Sequence, residues 1–254
     1  SPGNNTATLS DREAYARANP WYIKLALQVW KWRQGFRKDM VHRGIISYSK
    51  KIPLERIHPQ GAEGIEEALR YVAGRLGLPV NNLVILPIED APFYRKSDKK
   101  KMGAHVLGGL PGYLFLNLDS GNELLASIIH EWMHDAFQYN EGLPTLVEIV
   151  YSLEHQLPIG QGYTATLNKA KADFMEERSA SYACGFGGMI TAMATDFYSP
   201  VIDGRPYLIG AKTAGVAVAL GEITGRGYEA SWEFIRLLLT QPLNAAADKV
   251  LQSG

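Results

Sequence analysis

The stretch His130-Glu131-Trp132-Met133-His134 sets two imidazoles four residues apart, with a carboxylate beside the first. On a helix, residues four apart share a face, so His130 and His134 can each offer a ring nitrogen to one zinc ion while Glu131 stands beside the water the ion would hold. That is the first half of a hydrolytic metal site: two ligands, and a base able to take a proton from the attacking water. The helix that the motif requires is itself legible. Leu124, Leu125, Ile128, Ile129, Trp132, Met133, Ala136 and Phe137 recur at helical spacing, and Asn140, Gly142 and Pro144 then signal a stop. The plainer reading of the same residues is two ordinary histidines on a buried helix.

A catalytic zinc takes three protein ligands and keeps one position for water, so the chain must supply one more. The extension that puts a ligand six residues after the second histidine, behind a glycine turn, fails here: Asn140 holds the ligand place and Phe137 the glycine place. Glu141 is adjacent, but seven residues of continuing helix carry it roughly 10 Å along the axis from His134, and the chain would have to bend back sharply. Later helices are the natural source. Residues 144 to 157 offer Glu148, Glu154 and His155, and Glu148 and His155 fit a solvated flank or a supporting role behind a ligand. Within residues 166 to 184, Leu167, Ala170, Phe174, Glu177, Ser181 and Cys184 form one stripe, whereas Glu176 aligns with Lys169 and Asp173. A carboxylate facing the interior is costly unless it is paired or bound to metal. Glu177 is therefore the expected third ligand, Glu176 and Glu148 are the alternatives, and neutralisation of Glu177 by an arginine is the reading without metal.

HEWMH, followed by Glu177-Arg178-Ser179-Ala180 and preceded by the strand-like GGLPGYLFLN from Gly108 to Asn117, resembles the gluzincin-type metallopeptidases. In that group the third ligand is a glutamate on a later helix, in an ExxA pattern. The layout is similar to compact members such as the phage-repressor-cleaving metalloproteases, the Mlc titration factor peptidases and the catalytic domain of anthrax lethal factor. The resemblance spans about residues 104 to 184 and implies a zincin-like fold, a zinc cofactor and peptide-bond hydrolysis. Ser181 departs from the Asp or Asn that many relatives carry there.

The elements that must position these residues are mixed. Residues 20 to 41 predict one long helix whose Tyr22, Leu25, Val29, Trp32, Phe36 and Met40 make an apolar stripe, with Lys24, Lys31 and Lys38 on another face. The stripe is expected to pack on the body of the protein, membrane-surface contact through Trp21, Trp30 and Trp32 being the alternative. Ser10 or Asp11 could cap a shorter helix before it. Residues 45 to 61 are rich in turn formers and suit a link. Ala62 to Leu76 reads as a helix ended by Gly77, and Leu83 to Pro87 as a buried strand. Two short strands follow between Ala104 and Leu118; the second, if it had a free edge, could bind an extended peptide, with an internal strand as the alternative. Small residues in the helix from Tyr207 permit close packing, and an amphipathic helix runs from about Tyr228 to Leu239. Tyr163, Tyr198 and Tyr207 are candidate hydrogen-bond donors to an oxyanion.

These features predict an α+β fold, zincin-like and mostly helical, with a small β-sheet preceding the HExxH helix. The expected organisation is an N-terminal helical extension over residues 1–60 and a metallopeptidase domain over 61–254. With 254 residues, 46% of them hydrophobic, a sizeable core is available. Residues 1 to 101 carry 18 Lys/Arg against 10 Asp/Glu, and the remainder 8 against 16, so two opposed halves balance within one chain. The basic run from Arg95 to Lys101 suits an exposed loop, and with no basic–aromatic interleaving, nucleic acid is not an expected partner. The lone Cys184 excludes an intramolecular disulfide, and no signal-peptide layout opens the chain, so a cytoplasmic setting is the expectation. The expected function is a zinc-dependent peptidase acting on peptide or protein substrates. Its rivals are a catalytically inactive zincin-like binding or regulatory module and a hydrolase of non-peptide amides.

Overall fold

Two strands that are apolar at nearly every position, Leu83–Pro87 and Tyr113–Leu116, lie side by side and parallel at the centre of a five-stranded sheet. Their unbroken hydrophobicity reflects burial on both faces. In a computed structural model, which describes residues 20–96, 103–105, 110–136, 141–180 and 205–254, the sheet comprises β1 (Met40–Arg43), β2 (Ile46–Ser49), β3 (Leu83–Pro87), β4 (Ala104–His105) and β5 (Tyr113–Leu116), ordered β1-β2-β3-β5-β4. The two outer pairings are antiparallel and the two inner ones parallel. β5 is thus an internal strand, and β4 forms the edge beside it, Ala104 opposite Leu116 and His105 opposite Phe115.

Alternation along β3 and β5 sends Leu83, Ile85, Leu114 and Leu116 into the main core, and Leu86 and Phe115 into a second cluster with Leu27, Ile88 and Leu110. That second cluster is covered by helix α1 (Pro20–Gln34). Helix α1 differs from the expected one in length and in the face it docks. The helix stops at Gln34 and the chain enters β1 at Met40, where a continuous helix to residue 41 was expected. And the face that docks is Ile23, Leu27 and Trp30, whereas Tyr22, Leu25, Val29, Trp32 and Phe36 of the anticipated stripe are exposed, as is Trp21. Trp30 accounts for the choice. Its indole N–H donates to the Asp90 carbonyl at 3.0 Å, and its ring meets Tyr113 and Phe115 edge-on at 5.1 and 5.6 Å. Arg37 then ties the helix exit to the sheet by pairing with both Asp39 and Asp90.

The segment expected to be a link supplies β2, which pairs in parallel with β3, so the sheet takes in residues assigned to the N-terminal extension. Helix α2 (Gly61–Leu76) ends as anticipated: Gly77 is left-handed at φ 67° and its N–H bonds to the Ala73 carbonyl. The helical body follows as α3 (Leu124–Ala136), α4 (Gly142–Glu154), α5 (Gln161–Ala180), α6 (Arg205–Thr224), α7 (Tyr228–Leu238) and α8 (Leu243–Gln252). Small residues let α6 close on its neighbours. A methyl group added at Gly210 would meet the Gly142 carbonyl oxygen and Thr145 Cβ, both at 2.7 Å, and one at Gly215 would strike the Leu167 carbonyl. The architecture is α+β and mainly helical, with a small mixed sheet. No described helix is long and apolar enough to cross a membrane. The expectations placed on residues 1–19, most of the basic run, Ser181, Cys184 and Tyr198 lie outside the described residues.

Candidate metal centre

α3 carries His130 and His134 on one face, as the four-residue spacing dictates, and both side chains are buried. Their Nε2 atoms lie 3.2 Å apart. α4 packs against α3 and begins immediately after Glu141, whose carboxylate turns away from capping its own helix and toward the two rings. Glu141 Oε2 is 3.0 Å from His130 Nε2 and 3.1 Å from His134 Nε2. An acidic residue is favourably placed at a helix N-terminus, which offsets part of the cost of the forgone cap.

The three atoms form a nearly equilateral triangle with sides of 3.0, 3.1 and 3.2 Å. A tetrahedral zinc with bonds of about 2.0–2.2 Å to nitrogen and oxygen spaces its ligands about 3.3–3.6 Å apart, so the triangle is a few tenths of an ångström tighter than one face of such a site. The donor set, two imidazoles and one carboxylate, is the composition of a catalytic rather than a structural zinc site. Among the described residues, His130, His134 and Glu141 form the group whose ligand atoms all come within 4.8 Å of one another.

Glu177 does not join this group. It sits partly buried on α5, where Leu167, Ala170 and Phe174 of the same stripe are buried as expected, and Glu176 is exposed. Glu148 takes the supporting role: its Oε1 lies 3.2 Å from His130 Nδ1, on the ring nitrogen away from the triangle. Glu154 serves the fold, accepting hydrogen bonds from Tyr71 Oη and Trp232 Nε1, each at 2.7 Å, while His155 stacks on Tyr151.

The charge balance favours a cation. Burial opposes protonation of His130, yet Glu148, Glu141 and Glu131 outweigh it and hold the ring's pKa well above its ordinary value. His134 follows the same balance, raised chiefly through Glu141. Burial pushes Glu141 up, but the hydrogen bonds from both rings prevail and hold it far below the usual carboxylate range. Burial raises the Glu131 carboxyl, with the two histidines pulling back. Three carboxylates thus converge on two imidazoles, an environment in which positive charge is stabilised whether it arrives as protons or as a metal ion.

Two tyrosines complete the surroundings. The Tyr207 ring, on α6, lies nearly parallel to His130, with planes 17° apart and centroids 6.1 Å apart. Burial, then the Glu141 and Glu131 carboxylates, raise its phenol far above the ordinary value, so it stays protonated. Tyr163 is raised likewise by burial and by Glu148 and Glu141. No protein-family model, no curated protein and no solved structure matches this chain.

Proposed function

We propose that this chain is a zinc-dependent metallopeptidase of zincin-like build, with zinc held by His130, His134 and Glu141, the third ligand standing at the head of α4 and not in the ExxA stretch of the gluzincin pattern. The observation that carries the reading is the Nε2–Nε2–Oε2 triangle, matched in size to a zinc coordination face and backed by Glu148 on His130. Zinc bound there supplies Lewis acidity, making a water acidic near neutral pH and polarising a carbonyl. Glu131, next to His130 on the same helix, accepts the proton of the attacking water and returns it to the leaving amine. Tyr207, held protonated, donates to Glu141 and supports that ligand, while Tyr163, also held protonated, is the candidate donor to a developing oxyanion. Glu148 fixes the ring orientation of His130 by accepting from its Nδ1.

The test is peptide cleavage by the zinc-loaded protein and its Glu131→Gln variant. The expected result is activity in the parent and a loss of roughly a hundred- to ten-thousand-fold in the variant, with zinc content unchanged. A Glu131→Gln protein as active as its parent contradicts the mechanism. A zinc-loaded parent that cleaves no peptide in a diverse library favours the binding-module reading instead.

A further inference from the structure

Helix α1 has two apolar faces and uses one. At about 100° per residue, Ile23, Leu27 and Trp30 point to one side, and Trp21, Leu25, Val29 and Trp32 to the other, with Phe36 from the turn after the helix set edge-on against Trp32 at 4.9 Å. The first set is docked on the sheet. The second is exposed: 72% for Trp21, 53% for Leu25, and 66% for both Trp32 and Phe36. Isolated exposed apolar residues are ordinary, but a contiguous row with two tryptophans along one helix and a phenylalanine in the turn that follows it marks an interaction surface.

Charge selects among occupants. Residues 20 to 38 contain no Asp or Glu, and Lys24, Lys31, Arg33 and Lys38 are all exposed around the row. The nearest acid, Asp39, is already engaged by Arg37 and by Ser49. A second copy of this chain meeting the face symmetrically would bring its own cations against these. An anionic lipid surface does the reverse: it attracts the lysines, whose stems reach past the apolar row to the phosphates, while the indoles take the interfacial depth that suits an apolar ring with one polar edge. The face lies on the outside of a helix anchored by the Trp30 and Arg37 contacts, so it is preformed and requires no refolding to meet a flat surface.

We propose that the outward face of α1 docks this protein on anionic phospholipid membranes, lying in the interface rather than spanning it. The docking is independent of the metal site. It is tested by sedimenting the full-length chain with vesicles of phosphatidylcholine alone and of phosphatidylcholine containing about 30 mol % phosphatidylserine. The expected result is partition onto the anionic vesicles that weakens with salt, falls roughly five-fold for each of Lys24→Gln and Lys31→Gln, and disappears in Leu25→Glu/Trp32→Glu. These positions project into solvent, so an unchanged melting temperature is expected and separates lost docking from lost folding. Two outcomes overturn the proposal: a parent chain that stays in the supernatant with anionic vesicles, or one that pellets as well after Leu25→Glu/Trp32→Glu. A dimer that the double variant dissociates, with no vesicle binding by the parent, assigns the face to self-association and equally overturns it.

Discussion

Glu148 Oε1 lies 3.2 Å from His130 Nδ1 while His130 Nε2 meets Glu141, so one imidazole is gripped by a carboxylate at each nitrogen. In the neutral ring the first grip places the proton on Nδ1, so that the Nε2 lone pair is the one turned to the triangle. Replacing Glu148 with Gln keeps the shape and removes the charge. The expected outcome is a zinc affinity lowered roughly 10- to 100-fold with the fold intact, read by titration against a competing chelator.

The raised ring pKa values give zinc binding a definite pH dependence. Metal ligation requires neutral imidazoles, and protons compete until the pH passes the elevated values of His130 and His134. In the metal-free protein, a histidine raised above its unfolded value of about 6.5 contributes stability that is fully present below that value and lost as pH rises through the folded one. Zinc acts in the opposite direction. The increase in melting temperature on adding zinc should therefore grow as the pH rises above about 6.5 and through the elevated folded values. Thermal melts with and without zinc across that window check it, and a zinc increment independent of pH contradicts it.

Gly210 ties α6 to the head of α4. A methyl there would press on the Gly142 carbonyl, one residue from Glu141. Gly210→Ala is expected to destabilise by about 1–3 kcal/mol and also to weaken zinc binding, because α4 must give way where it presents its carboxylate. Gly221→Ala, which presses on Gly227 at the other end of α6, should destabilise without altering zinc affinity. Melting temperature and zinc titration on the two variants separate local from general damage.

The two histidines, the base and their helix were legible because everything they need is local: spacing of four and an apolar stripe. β3 and the glycine-capped α2 were legible for the same reason. Glu141 was set aside by counting rise along a continuing helix, whereas its position at the head of α4, packed against α3, brings it back through space. The helix-start position was the available signal: an acid immediately before Gly142-Leu143-Pro144, with Glu148 two turns further on. α1 was misread because both its faces are apolar. Periodicity locates a stripe but not the partner that claims it, and Trp30 is claimed by Asp90, Tyr113 and Phe115, all distant in sequence.

Metal content decides the central claim. Parent, Glu141→Ala and Glu177→Ala proteins are each loaded with zinc, passed over a desalting column and assayed for zinc per chain. One zinc per chain is expected in the parent and in Glu177→Ala, and a loss in Glu141→Ala, since Glu141 Oε2 is the oxygen that meets both Nε2 atoms. Zinc retained by Glu141→Ala, or absent from a folded parent, would contradict it.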